Sequence, residues 1–167
     1  MIETMRQGRL FPNSCYCIDA NALINLMKYP GYPRDIFPML WEKLESMVER
    51  GRLISHVEVY KEIEKQRDEI YSWCKQNRKI FKDVDECQIQ MLNQIERKYN
   101  PEYWKTEMNK DSPWADPWLI ALSICEDTVI VTDEKDTADH IPYVANAFQR
   151  QVLNLLDFFR AIEVNSR

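Results

Sequence analysis

Along residues 15–28, the hydrophobic pattern changes its period at a single carboxylate. Residues 15–18 form a short hydrophobic run, which predicts a buried strand that ends at Asp19. Beyond Asp19 the apolar side chains recur at helical spacing, which predicts a helix to about Lys28. We therefore expect Asp19 at the C-terminal end of a strand with a helix behind it, where open α/β sheets place their ligands.

A second strand followed by a helix is predicted at residues 52–65. The segment 52–55 is short and apolar, and the helix behind it carries Glu58 and Glu62, four residues apart and therefore on one face. A solvated helix whose acids pair with neighbouring lysines explains the same pattern.

The C-terminal half places more acids at element ends. Asp116 precedes Pro117 and an almost entirely apolar run, so it is expected as the N-cap of a buried helix. Residues 128–131 are mostly β-branched, as is typical of a buried parallel strand. Asp133 and Glu134 follow that strand after a single threonine.

The remaining pattern predicts more helices than strands. Alternation of strands and helices indicates the α/β class with parallel strands. The other predicted elements are a helix from about 35 to 51, two helices within 68–99, a loop at 101–113, a fourth short strand at 141–145 and a closing helix at 153–162.

A group of basic residues falls on the first of the two middle helices. Lys75, Arg78, Lys79 and Lys82 recur at spacings of three and four, which predicts one basic stripe on that helix. A solvated helix face is the default explanation, and contact with a phosphate backbone is the functional one.

Length and composition indicate one compact domain over residues 1–167. The chain is 45% hydrophobic and 29% charged, enough for a sizeable core. No apolar run is long enough to span a bilayer, and residues 1–9 lack the hydrophobic part of a secretory signal. We therefore expect a soluble, cytoplasmic protein.

Cysteine, glycine and charge content exclude several classes of site. The five cysteines are odd in number and lack metal-type clustering, so we expect free thiols rather than disulfides or zinc. Three glycines cannot build a phosphate-binding loop. A net charge of −5 excludes a polycation held on nucleic acid by bulk electrostatics, although a bound dication can reverse the sign locally.

The four acids Asp19, Glu62, Asp116 and Asp133 share a predicted position near strand C-termini or at helix starts. In a parallel sheet those places converge on one edge. Each acid alone has an ordinary explanation, such as a helix cap or a surface ion pair, but four together would repel unless a cation neutralised them. Oxygen ligands without His or Cys suit Mg²⁺ or Mn²⁺, and an ion held in this way can cleave phosphodiesters.

Four segments, in order, resemble the PIN domain, and most closely the VapC-like toxin ribonucleases of toxin-antitoxin modules. The likeness spans roughly residues 15–162 and implies a three-layer α/β/α fold with a short, mainly parallel sheet of four or five strands. The middle region, about 68–110, is longer than in minimal members. The matching segments are residues 18–24, 59–63, 115–122 and 129–134.

The resemblance also implies roles for individual residues. Asp19 and Asp116 would be the principal metal ligands with Glu62 as the second acid, and either Asp133 or Glu134 would complete the set. The candidates for orienting these carboxylates or an attacking water by hydrogen bonds are Asn21, Ser55 and Thr132. Family membership further implies single-stranded RNA as substrate, a 5'-phosphate product, a homodimer and a cognate antitoxin.

Three other kinds of protein share parts of this sequence pattern. A PIN-like fold whose carboxylates only cap helices would be a non-catalytic binding or regulatory protein. A phosphatase of the haloacid-dehalogenase type needs a second acid two residues after the first, where this chain has Asn21. A response-regulator receiver needs its Thr and Lys on successive strands, whereas Thr132 and Lys135 share one turn.

Overall fold

The computed structural model describes residues 14–163, in which five parallel strands form one sheet between helices. They lie in the order β3-β2-β1-β4-β5, with every neighbouring pair parallel. The predicted α/β class and three-layer α/β/α architecture are confirmed. The expectation about residues 1–9 lies outside the described residues. The strands are β1 (Tyr16–Ile18), β2 (Leu53–His56), β3 (Phe81–Lys82), β4 (Val129–Val131) and β5 (Val152–Leu153).

Nine α-helices within the described part of the chain cover the two faces of the sheet. α1 packs with α3, α4 and α9, whereas α7 packs with α5 and α8, so the sheet lies between two helical layers. The helices are α1 (Ala20–Met27), α2 (Pro38–Glu49), α3 (Val57–Glu64), α4 (Glu69–Gln76), α5 (Glu86–Glu96), α6 (Pro101–Met108), α7 (Asp116–Glu126), α8 (Ile141–Asn146) and α9 (Leu155–Ala161). None of these helices has the length and apolar character needed to cross a membrane.

The strand order creates a crevice at the C-terminal ends of β1 and β4. The chain proceeds outward from β1 through β2 to β3, then returns to β4 on the other side of β1. Where the connections diverge in this way, an open sheet leaves space for a ligand. The Asp19 amide donates to the Val131 carbonyl over 2.9 Å, which fixes the ends of β1 and β4 beside each other.

The basic stripe predicted on one middle helix is wrong. Lys75 lies in α4, Arg78 and Lys79 lie in a 3-10 turn, and Lys82 lies in β3. Phe81 is buried and pairs with Ser55 of β2. Strand pairing has therefore overridden the helical spacing of these residues.

Two other local predictions are also wrong. The predicted loop at 101–113 contains α6, whose start is fixed by the side chain of Asn100 accepting hydrogen bonds from the next turn. The predicted strand at 141–145 is α8, which places Pro142 in its first turn and buries Ile141 and Val144 on one face. The fifth strand is instead β5, after α8.

A disulfide joins Cys87 of α5 to Cys125 of α7, so the expectation of five free thiols is wrong. The two helices pack side by side and bring the Cα atoms of these cysteines to 6.1 Å, within the usual range for a disulfide. Cys15, Cys17 and Cys74 are free. Residues so far apart along the chain give no sequence signal of their pairing.

Reducing this disulfide is expected to lower the free energy of unfolding by about 3–4 kcal/mol, because the unfolded chain regains the freedom of a long loop. The closed segment has a sequence separation of 38 residues. Urea unfolding with and without dithiothreitol measures the change. A Cys87→Ser/Cys125→Ser variant should no longer respond to the reductant. Equal wild-type midpoints in both conditions would contradict the expected contribution.

Candidate functional site

Three carboxylates from distant parts of the chain meet at the crevice. Asp19 follows β1 and is 2% exposed, Asp116 is the first residue of α7, and Glu134 lies in the loop after β4. One oxygen from each of the three lies within 4.8 Å of the others. We call these three residues the acidic cluster.

Glu62 lies beside the acidic cluster and holds the start of α7. Its Oε2 accepts a hydrogen bond of 2.9 Å from the amide of Ala115. Ala115 occupies the N-cap position, so Asp116 is one residue inside the helix rather than its cap as predicted. Because Glu62 provides the hydrogen bond at the helix start, the Asp116 carboxylate is not needed there.

Thr132 and Asn21 form a hydrogen-bond network between Asp19 and the loop that follows β4. Thr132 Oγ1 lies 3.0 Å from Asp19 Oδ2 and 3.2 Å from Asn21 Oδ1. The same hydroxyl accepts a 3.2 Å hydrogen bond from the Glu134 amide. Asn21 Oδ1 also accepts from the Asp133 amide over 3.0 Å. Thr132 and Asn21 therefore fix Asp19 relative to the loop that carries Glu134.

Asp133 lies outside the acidic cluster. Its Oδ2 accepts a 2.7 Å hydrogen bond from Asn25, and its Oδ1 accepts a 2.8 Å bond from the Leu155 amide at the start of α9. Asn25 of α1 and the start of α9 therefore hold the Asp133 carboxylate, whereas the Glu134 carboxylate lies with Asp19 and Asp116. Of the two acids left open by the sequence, Glu134 is the one that joins Asp19 and Asp116.

Within residues 14–163, Ser55 makes no hydrogen bond to a carboxylate. It is completely buried, and its hydroxyl donates a 2.6 Å hydrogen bond to the carbonyl of Ile18. That bond holds the last residue of β1 against β2, immediately before Asp19. Ser55 therefore positions the backbone of the site rather than its charged groups.

Burial and mutual repulsion raise the pKa values of Asp19, Glu62 and Asp116. Burial, followed by the charge of Glu134, raises the pKa of Asp19 to about 7, although the Ala20 amide and Thr132 hydroxyl offset part of the rise. Burial likewise raises the pKa of Glu62 to about 7. The pKa of Asp116 is well above its ordinary value because of burial and the charges of Asp19 and Glu134. Three carboxylates this close together are therefore stable only when protons or a cation reduce their negative charge.

The donor atoms of the acidic cluster fit a small divalent cation. Oxygen ligands at 2.0–2.1 Å from an octahedral Mg²⁺ lie about 3–4 Å from one another, close to the observed grouping within 4.8 Å. One oxygen of Asp19 is held by Thr132, and one oxygen of Glu134 accepts from the Ile141 amide over 3.0 Å. Each of these carboxylates keeps a second oxygen for an ion.

His56 supports the site without taking part in it. It is fully buried, and its Nδ1 accepts a 3.0 Å hydrogen bond from the Glu58 amide at the start of α3. Nε2 must then carry the hydrogen, which it donates to Gln88 Oε1 over 2.7 Å. Burial lowers the pKa of His56, so the ring is a neutral cap for the helix that carries Glu62.

Tyr99 is a neighbour of the site that sequence reasoning missed. It is 4% exposed, and its hydroxyl has no hydrogen-bond partner within residues 14–163. Its ring packs against Trp114, with centroids 5.3 Å apart. Burial and then the charge of Asp116 raise its pKa far above the usual range. Only the tertiary packing of α6 reveals this position, since the sequence indicates merely an aromatic residue.

The four predicted basic residues are all exposed, and two of them lie over tyrosines. The Arg78 guanidinium is 4.3 Å from the ring centroid of Tyr60, and Lys75 Nζ is 5.0 Å from that of Tyr71. Tyr60 belongs to α3, the helix that carries Glu62. Lys79 and Lys82 lie nearby, because Lys82 Nζ donates to the Lys79 carbonyl over 3.4 Å. A role for these residues in RNA binding stays a prediction.

Comparison with known proteins gives a family for the chain. No curated protein matches the sequence. A family model described as a domain of unknown function, DUF4411, matches residues 16–166, a range that includes the acidic cluster and every strand of the sheet. The chain therefore belongs to the DUF4411 family of domains of unknown function.

Proposed function

We propose that this protein is a PIN-like endoribonuclease that hydrolyses phosphodiester bonds of single-stranded RNA with Mg²⁺ or Mn²⁺. The observation that carries the proposal is the meeting of Asp19, Asp116 and Glu134, which come from three separate elements, at the switch point of a parallel sheet. A hard dication is the ligand that such a set of oxygen donors suits best.

Helix capping does not explain the convergence of these carboxylates. The Asp19 side chain makes no capping hydrogen bond to α1, and the start of α7 is held by Glu62 rather than by Asp116. Glu134 uses one oxygen at the start of α8, which leaves its approach to within 4.8 Å of the Asp116 carboxylate unexplained. Since neighbouring carboxylates destabilise one another, the arrangement favours a site selected for chemistry.

Each residue of the site has a defined part in this proposal. Asp19, Asp116 and Glu134 would hold the ion, which supplies a Lewis acid for the phosphodiester and lowers the pKa of an attacking water. Thr132 orients Asp19 through its hydroxyl. Glu62 fixes α7 with one oxygen and keeps the other for the ion or for the proton of the attacking water.

The resemblance to VapC-like toxins extends the proposal to the protein's surroundings. On that basis we expect a cytoplasmic toxin that acts as a homodimer and is inhibited by a cognate antitoxin. The exposed residues Lys75, Arg78, Lys79 and Lys82 are the proposed contacts to the RNA backbone.

Cleavage of end-labelled single-stranded RNA tests the proposal. A pool of mixed sequences should be cut in the presence of Mn²⁺ or Mg²⁺, remain intact in EDTA, and yield fragments with 5'-phosphates. Intact RNA with either ion, together with no heat of Mn²⁺ binding in calorimetry, would instead support a non-catalytic PIN-like binding or regulatory protein.

A further inference from the structure

A cleft of about 520 Å³ lies on the side of Asp133 away from the acidic cluster. It is formed by the end of α1, the loop that follows, and the start of α9. Its volume falls within the usual range of small-ligand sites, about 300–1,000 Å³. We call it the Tyr29 cleft, and the residues that matter for its chemistry are Asn25, Lys28, Tyr29, Asp133, Asn154 and Leu156.

The outer part of the Tyr29 cleft presents an aromatic ring and a cation. Tyr29 is 90% exposed, which leaves its ring free to stack on a planar ligand. Lys28 precedes it and is also exposed, and among residues 14–163 it forms no ion pair. An aromatic ring beside a lysine is the combination that binds a base and a phosphate of a single strand.

The cleft also offers one acceptor and one donor from two exposed amides. Asn25 donates its Nδ2 to Asp133, so its Oδ1 is left as an acceptor. Asn154 accepts from the Asp157 amide with its Oδ1, so its Nδ2 is left as a donor. Such a pair can recognise the edge of an unstacked base.

The cleft is close to the acidic cluster because both lie along α1. Asn21, whose Oδ1 lies 3.2 Å from the Thr132 hydroxyl, faces the cluster. Asn25, four residues or about 6 Å further along the helix, lines the cleft. Asp133 joins the two, since its amide donates to Asn21 and its carboxylate accepts from Asn25.

We propose that the Tyr29 cleft binds one nucleotide of the RNA chain, with its base stacked on Tyr29 and its phosphate at Lys28. The base edge then faces Asn25 and Asn154. The negative charge of Asp133 keeps phosphate away from its side of the cleft and fixes this orientation. This inference rests on the proposed ribonuclease function and assigns it a subsite beside the scissile phosphate.

Substitution of Tyr29 tests the subsite through two readouts. Tyr29→Ala should raise the KM for RNA cleavage about tenfold, and should weaken binding of a fluorescent single-stranded RNA octamer in EDTA by a similar factor, because one stacked base is lost. Its kcat and its affinity for Mn²⁺ should be unchanged. Tyr29→Phe should behave as wild type because stacking needs only the ring. Tyr143→Ala, at an exposed tyrosine outside the cleft, is the matched control.

The two readouts separate failure of this inference from failure of the proposed function. Wild-type cleavage with no effect of Tyr29→Ala on KM or binding would overturn the subsite alone, as expected if the cleft instead holds a peptide of a protein partner. Wild-type RNA binding that Tyr29→Ala weakens, without any cleavage, would overturn the nuclease and support the nucleotide site. Absence of RNA binding by the wild type would overturn both.

Discussion

Replacing Asp116 with asparagine is expected to reduce Mn²⁺-dependent RNA cleavage about a thousandfold while the protein stays folded. The amide keeps the size of the side chain but removes a charge from the acidic cluster. Loss of a bound dication removes several kcal/mol of transition-state stabilisation, and each 1.4 kcal/mol corresponds to a tenfold change in rate. Initial cleavage rates at saturating Mn²⁺ measure the effect.

The controls for Asp116→Asn distinguish a lost ligand from a damaged fold. Asp136 is an exposed acid of the loop that follows β4, and Asp136→Asn should change the rate less than twofold. In EDTA, Asp116→Asn should be at least as stable as wild type, because it removes a half-buried acid that repels Asp19. Wild-type rates from Asp116→Asn would rule out the proposed role of this residue.

In EDTA, the free energy of unfolding is expected to fall as the pH rises from about 4 to 7. Asp19 and Glu62 each have a pKa of about 7 in the folded protein, against ordinary values of 3.8 and 4.5. The folded state therefore binds their protons more tightly than the unfolded state. This stabilisation is complete below the unfolded pKa values and is lost as the pH passes through 7. For Asp19 it is on the order of 4 kcal/mol.

Saturating Mn²⁺ should prevent most of this decrease in the free energy of unfolding with pH. The bound ion supplies the positive charge that the protons supply at low pH. Urea unfolding at pH 5, 6, 7 and 8, with Mn²⁺ or with EDTA, should give stabilities that diverge as the pH rises. The divergence should be much smaller for Asp116→Asn. Parallel curves for wild-type protein in the two conditions would contradict ion binding by these acids.

The sequence predicted the site best where a local pattern and the sheet topology agree. Asp19 stands where a buried strand gives way to a helix, and parallel strands bring such positions to one edge. The choice between Asp133 and Glu134 could not be made in this way. It depends on which of the two side chains faces Asp19 after β4 ends. Hydrogen bonds from Asn25 and the Leu155 amide to the Asp133 carboxylate hold Asp133 away from Asp19.

The failures of sequence reasoning come from contacts between distant segments. The basic residues at 78–82 have helical spacing, but pairing with β2 and burial of the Phe81 side chain stabilise a strand there instead of a helix. Cys87 and Cys125 meet only because α5 packs against α7. The Tyr99 hydroxyl, which has no hydrogen-bond partner in the described part of the chain, is likewise a result of packing. No local pattern indicates which polar atoms a core leaves without a hydrogen bond.

Anomalous diffraction from a crystal soaked in Mn²⁺ at pH 8 tests the proposed site most directly. We expect one strong peak bonded to carboxylate oxygens of Asp19, Asp116 and Glu134, and none at Asp133. A soaked crystal with these three side chains ordered and no anomalous peak between them would show that the acidic cluster does not hold a metal ion.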